Sequence, residues 1–249
     1  MAVSDLKGRT LRVCALYPDL MNIYADRGNL FVLQRRCEWR GIAFHLSGSG
    51  LDEMLDGEAH DIYYIGGGQD RDQLLCAEDL VGGKRKALHE AASRGAIVLG
   101  VCGGYQLLGE SYTLGDNQLQ GVGLLDIRTV REPGERLIGN VAIEVDLDRE
   151  KRVLAGFENH GGRTYLGPSA YPLGRVLRGH GNDGRNGSEG ARFGNTIGTY
   201  LHGPLLPKNT WFADWLIATA LGIDPDALTS LDDSFEDAAH ASARRAAGV

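Results

Sequence analysis

The 249-residue chain has only four cysteines, Cys14, Cys37, Cys76 and Cys102, and no two of them form a C-x-x-C pair. That spacing excludes a zinc ribbon and a redox dithiol, and it suits reduced thiols in a cytoplasm better than a disulfide framework. Basic charge is scarce as well. Lys and Arg number 26 against 33 Asp and Glu, a formal net charge of −7, and the longest basic run is Lys84-Arg85-Lys86. The electrostatic footprint of a nucleic-acid binder is therefore missing. No apolar stretch is long enough to span a bilayer and no apolar signal region opens the chain, so a cytoplasmic protein without a membrane span is expected. No G-x-x-x-x-G-K-[ST] occurs, which leaves this chain without a phosphate loop of that type, and no metal site is expected.

Glycine, in contrast, is plentiful at 36 residues, and its placement is informative. Ala96 to Val101 is an apolar run rich in branched residues, read as a buried strand; it ends on Cys102, which glycines flank, and a helix-like stretch from Tyr105 to Leu108 follows. A strand-to-helix corner this tight strains the apex residue and needs neighbours without a Cβ. The same device in serine hydrolases lifts the nucleophile clear of the sheet and aims the first amides of the new helix at the group it attacks. A thiol there lies in a field that favours thiolate, its reactive form. A buried packing cysteine is the plainer reading, and flanking glycines argue against it.

Upstream, Leu11–Tyr17, Ile42–Leu46 and Asp61–Ile65 read as strands, while Asn29–Arg40 and Lys84–Arg94 carry helical spacing. This alternation predicts a largely parallel α/β sheet flanked by helices, with its working groups at the carboxyl ends of the strands, where Gly66-Gly67-Gly68 and Cys102 fall. The second half is β-rich. Strands are expected at Leu124–Val130, Leu137–Val145, Thr164–Leu166, Arg175–Leu177 and Arg192–Thr199, with 179–187 an exposed glycine-rich loop. Pro207–Leu221 returns to helix, and one amphipathic helix then precedes a frayed end after about Ala239.

A thiolate nucleophile needs a base. Of seven histidines, His202 is the best placed, at the end of Gly198-Thr199-Tyr200-Leu201 and before the Gly203-Pro204 turn. Acyl chemistry also needs two donors for a developing oxyanion. The Gly103 amide is one, and Gly67 is expected to lend the other.

Gly100-Val101-Cys102-Gly103-Gly104-Tyr105-Gln106 resembles the G-x-C-x-G-x-Q motif of class I glutamine amidotransferases. Glu158-Asn159-His160-Gly161-Gly162-Arg163-Thr164 and Gly198–Pro204 resemble the cobyric-acid-synthase branch of that class. Tyr17–Asn29, Ile65–Asp70 and Arg136–Val141 narrow the resemblance to the GatD family, glutaminase subunits of lipid II isoglutaminyl synthase that work beside a MurT-like Mur ligase subunit. The resemblance runs from about Leu11 to Leu221. It implies a flavodoxin-like fold in an amidotransferase domain over 9–224, followed by a C-terminal helix and tail over 225–249. It also implies hydrolysis of L-glutamine through a Cys102 thioester, with His202 as base and then acid. Arg136 would hold the glutamine α-carboxylate, and Gln106, Asn159 and His160 would line the substrate pocket. No cofactor is expected in this chain; ATP and magnesium would belong to the partner, which amidates D-glutamate of a membrane-bound peptidoglycan precursor. In many class I enzymes the histidine is followed two residues later by an orienting glutamate, where this chain has Pro204. The acid is then Glu158, another acid of this chain, or a residue of the partner. The partner is favoured, with Asp26-Arg27-Gly28-Asn29 as part of its docking surface or, alternatively, as a helix N-cap.

Overall fold

Apolar runs without polar alternation form the middle of the molecule. In the computed structural model, which describes residues 6, 8–23, 26–114, 117–148 and 150–249, Ile62–Ile65 (β3) and Ile97–Val101 (β4) are buried along their whole length. Burial on both faces is what parallel strands under helices require. Thr10–Leu16 (β1) pairs in parallel with β3 and, on its other side, with Ala43–Ser49 (β2). β4 pairs in parallel with Thr196–Thr199 (β14), and Ala191–Phe193 (β13) adds an antiparallel edge. The six strands run in the order β13-β14-β4-β3-β1-β2.

Helices connect these strands. Arg27–Trp39 (α1) joins β1 to β2 and buries Leu30, Leu33 and Cys37. Asp70–Asp79 (α2), a π-helical turn at Leu80–Lys84 and Arg85–Ser93 (α3) join β3 to β4. The acidic Gln69–Asp72 stretch, which carries no helical expectation, opens α2: Asp70 and Asp72 lie in its first turn, where the helix dipole favours carboxylates. Gly103–Leu107 (α4) follows β4, and Thr210–Leu221 (α5) follows β14.

The β-rich half forms two further sheets. One joins Gly162–Leu166 (β10), Ile127–Arg131 (β7), Ser111–Leu114 (β5) and Asn117–Gln120 (β6); it is antiparallel except for the β5–β7 pair. The other joins Ser188–Glu189 (β12), Gly174–Arg178 (β11), Leu137–Leu147 (β8) and Glu150–His160 (β9), all antiparallel. Sequence reading misses β9, whose charged Glu150-Lys151-Arg152 start hides its apolar middle; Asn159 and His160 are its last residues. The expected strand Arg192–Thr199 folds back at Gly194-Asn195 into the β13–β14 hairpin. The 179–187 loop is not wholly exposed: Gly181, Asn182 and Asp183 are buried, with the Asn182 amide donating to Ser188 O (2.9 Å) and its carbonyl accepting from Thr164 N–H (2.9 Å).

The C-terminal helix Ser234–Ala247 (α6) does not fray near 239. It buries no side chain, but Asn140 Nδ2 donates to the Ala246 carbonyl (3.1 Å) and His240 Nδ1 meets the Lys208 carbonyl (2.8 Å). The chain before it is tied down by an ionic knot. Arg36, 1% exposed, forms two-pronged pairs with Asp214 (2.5 and 2.7 Å) and Asp233 (2.6 and 2.7 Å), and Arg40 grips the same Asp214 (2.9 and 2.7 Å). A guanidinium this deep is tolerable only with such complete pairing. Among the described residues no helix is long and apolar enough to cross a membrane.

Candidate active site

Cys102 sits between β4 and α4 with φ 52° and ψ −103°, a backbone region that non-glycine residues rarely adopt. Three hydrogen bonds hold it there. Its N–H donates to Thr199 O (2.8 Å), its carbonyl accepts from Gln106 N–H (3.1 Å), and Gly104 N–H donates to Gly66 O (3.0 Å). Gly104 is demanded by close approach as much as by the turn, since a Cβ there would lie 2.2 Å from the Ile65 carbonyl oxygen. The other thiols are unreactive by environment: burial pushes Cys14 up to about 11 and Cys37 and Cys76 up to about 12.

The candidate base comes from the far side of the sequence. His202 ends the chain segment after β14, and its backbone exchanges hydrogen bonds with Phe157 of β9 (2.8 and 3.1 Å). Its imidazole is buried, lies within electrostatic reach of the Cys102 sulfur, and presents Nδ1 to Asp26 Oδ1 at 3.4 Å. Burial pulls the imidazolium down, but the Cys102 sulfur's charge and the Asp26 carboxylate outweigh it, and His202 is raised to about 10. The arrangement favours the protonated imidazole of His202 beside the Cys102 sulfur.

Asp26 therefore stands where the sequence left a gap. The chain turns sharply at Tyr17 (φ 52°), whose carbonyl accepts from Leu20 and Met21 amides (3.0 and 2.8 Å), so Met21 packs over Gly68 and Gly103. Ile23 N–H then donates to Gly67 O (3.1 Å), and Asp26 N–H donates to Ile23 O (3.1 Å). Tyr24 and Ala25 of the same motif lie outside the described residues. Asp26 and Asn29 are wholly buried while Arg27 between them is exposed, and Asp26 makes no side-chain cap for α1. Asn29 donates from Nδ2 to Tyr64 OH (2.9 Å) and accepts Leu206 N–H (2.8 Å), while Gly28 lies against Pro204, whose Cγ would be 2.7 Å from a Cβ at Gly28. The turn after His202 is thus clasped by the start of α1.

Glu158 does not orient His202. Its oxygens accept His180 N–H (2.6 Å) and Gly181 N–H (2.9 Å), tying down the 179–187 loop. Gly67 also departs from expectation as an oxyanion donor, because its amide is committed to Asp26 Oδ2 at 2.8 Å. The next amide, Gly68 N, is the one near the helix start, 3.2 Å from where a Cβ on Gly103 would lie. The Gly103 amide opens α4 and so has no intrahelical acceptor.

A cavity beside Cys102 is lined by Gln106, Arg136, Asn159 and His160, together with Asp70, Gln73 and Arg131. Arg136 donates from Nε to Asn159 Oδ1 (2.8 Å) and from Nη2 to Asn159 O (2.9 Å), which aims the guanidinium rather than leaving it to sweep. Gln106 is a wall: its amide donates to Tyr200 OH (3.1 Å), and its carbonyl accepts from Gln73 Nε2 (2.7 Å). His160 stacks flat on Tyr200 at 3.6 Å, with Nδ1 2.9 Å from Gly162 O. Burial holds its pKa below the usual value, which favours a neutral ring donating from Nδ1. Sequence reasoning missed Asp26, Asp70, Gln73 and Arg131; only Asp26 left a trace, as a polar turn residue before a helix. Among the described residues no group of three or more His, Cys, Asp or Glu could hold a metal ion.

Comparisons with known proteins agree with this chemistry. Residues 12–210 match the CobB/CobQ-like glutamine amidotransferase domain. The GatD subunit of lipid II isoglutaminyl synthase (glutamine-hydrolyzing) from Streptococcus pneumoniae is 36% identical, covering 85% of this chain and 80% of that protein. The Staphylococcus aureus GatD subunit is 40% identical over 81% of each chain. A probable cobyric acid synthase of Methanothermobacter thermautotrophicus is 34% identical, over 57% of this chain and 30% of its own length. Among solved structures, PurLQS from Thermotoga maritima aligns with a TM-score of 0.55 at 18% identity, covering 85% of this chain and 95% of that one, a likeness of fold alone. The chain belongs to the CobB/CobQ-like glutamine amidotransferase family.

Proposed function

We propose that this enzyme is the glutaminase subunit of a lipid II isoglutaminyl synthase. The observation that carries the reading is a buried Cys102–His202–Asp26 line opening on a cavity with an aimed guanidinium, in a chain 36% and 40% identical to two GatD subunits. Arg136 takes the α-carboxylate of glutamine as a planar, charge-assisted contact, and Asp70 across the cavity offers a partner for its ammonium. The Cys102 thiolate attacks the side-chain amide carbon. The tetrahedral oxygen is stabilised by the Gly103 and Gly68 amides. His202, carrying the proton, gives it to the departing nitrogen, so ammonia leaves and a γ-glutamyl thioester remains. Neutral His202 then draws a proton from water, which attacks the thioester and releases glutamate. Asp26 keeps the imidazole in the tautomer with its proton on Nδ1 and stabilises the imidazolium.

The sheet order β2-β1-β3-β4-β14 supports a flavodoxin-like winding, with the site at strand carboxyl ends. Ammonia would pass to a Mur-ligase-like subunit that carries ATP and magnesium and amidates D-glutamate of lipid II in the cytoplasm. The Asp26 contact with His202 supports an acid within this chain, and the glutaminase rate of the chain alone against that of the complex distinguishes it from an acid supplied by the partner. The test is the glutamine-dependent conversion of lipid II to its isoglutaminyl form, followed by mass spectrometry, with this chain and a Mur-ligase-like protein together. Ammonia release without amidated product would leave a glutaminase serving another acceptor, such as a cobyrinic acid.

A further inference from the structure

One buried carboxylate has no part in the chemistry above. Glu189 in β12 is fully shielded from solvent; burial opposes its charge, and hydrogen bonds from Tyr200 and Thr199 favour it. The groups that hydrogen-bond its oxygens are donors. Oε1 accepts Tyr200 N–H (2.6 Å), and Oε2 accepts the Thr199 hydroxyl (2.9 Å). A glutamine side chain there would set its own NH2 against one of those donors. The site therefore calls for a carboxylate, although burying one is unfavourable.

What Glu189 grips is the peptide between the two reacting side chains. The Thr199 carbonyl accepts the Cys102 amide (2.8 Å), and the Thr199 hydroxyl accepts Leu201 N–H (3.1 Å). Tyr200 lies edge-on to Tyr105 of α4 with ring centres 5.0 Å apart, and His202 follows two residues later. A shift of this peptide moves the nucleophile's seat and the base's tether together.

We propose that Glu189 is a positioning residue for the glutaminase reaction: by fixing the Thr199–Tyr200 peptide it sets how Cys102 and His202 face each other. This rests on those two residues being the reacting pair. Glu189 touches neither substrate nor sulfur, so its loss lowers the rate of the bound complex and leaves glutamine binding, governed by Arg136, nearly as it was. Misplacement by about 1 Å costs a reacting pair roughly 10²-fold.

The experiment uses the whole chain and a diazo-ketone analogue of glutamine that alkylates the nucleophile, reading the saturating labelling rate and the half-saturating concentration separately. For Glu189→Gln, the saturating rate is expected to fall by roughly 30- to 100-fold, with half-saturation within about threefold of wild type. Thr199→Val, which deletes the hydroxyl donor at constant size, should show the same split more mildly, and Thr199→Ser should restore the rate. A folded Glu189→Gln variant labelled at the wild-type rate overturns the proposal. If Glu189→Gln does not fold, equal rates for Thr199→Val and Thr199→Ser overturn it instead. Failure of the wild-type chain to label at Cys102 would strike the glutaminase reading itself and this inference with it.

Discussion

The two halves of the proposed reacting pair are held in different ways. Cys102 is shaped mainly by its own neighbourhood, five residues of strand, a left-handed apex and a helix that starts one residue later, with one distant bond from its amide to Thr199 O. His202 is placed by segments far away in the chain, Asp26 at its ring and Phe157 at its backbone. Local geometry of the first kind is close to all-or-none, because a strained corner either forms or does not. Assembly of the second kind is graded, since each distant contact contributes its own share. Changes on the Cys102 side should therefore abolish activity, while changes around His202 should attenuate it.

The largest effect is expected from Cys102→Ser. Glutaminase activity should fall by on the order of 10³-fold or more, because a hydroxyl at this site is far less ionised than a thiol. The variant should still fold, and peptide mass spectrometry should find no label from the glutamine analogue on it. Label on Cys14, Cys37 or Cys76 in the wild-type chain would break the comparison at its root.

Asp26→Asn comes next and tests the distant half. The amide keeps the size but removes the charge that holds the imidazole proton on Nδ1, so kcat should drop by roughly 10²- to 10⁴-fold with KM little altered, as loss of the triad acid does in serine proteases. Steady-state ammonia release measured on the chain alone is the check. A wild-type rate would return the acid's role to a partner protein.

Arg136→Ala should act on binding rather than chemistry. A lost charge-assisted contact costs about 1.5–3 kcal/mol, so KM for glutamine should rise by roughly ten- to a hundredfold with kcat nearly kept. An unchanged KM would mean that Arg136 serves only its bonds to Asn159.

The smallest effect is on stability. His202 is raised in the fold from 6.5 to about 10, so its contribution is complete below about pH 6.5 and is lost as pH climbs through about 10. Melting curves across that window should decline more steeply for the wild type than for Cys102→Ser, which lacks the sulfur charge that raises the imidazole. Parallel slopes would show that the sulfur and the ring are not coupled.

The same contrast explains what the sequence disclosed. The elbow is legible because its requirements are local: glycines around one cysteine after a buried strand leave few other readings. His202 is legible as a strand-end histidine before Gly203-Pro204. Asp26 is not, because its contact spans 176 positions and a polar residue before a helix reads equally well as a cap. Gly67 shows a further limit: a glycine supplies an amide, but only the fold decides where it points, and here it points at Asp26. The 179–187 loop has the composition of exposed chain, yet Asn182 binds the Gly190 carbonyl (2.9 Å) and amide (3.0 Å) and carries the segment inward.

The ionic knot of Arg36, Arg40, Asp214 and Asp233 has a mechanical consequence. It grips the last turns of α1, while Asp26 stands just before the first, about 20 Å away along a helix of 13 residues. The helix is then a lever with a fixed fulcrum at one end and the orienting carboxylate at the other. Buried charge pairs are screened little by salt, so the fulcrum should hold at ionic strengths that dissolve surface contacts, and His202 keeps its aim.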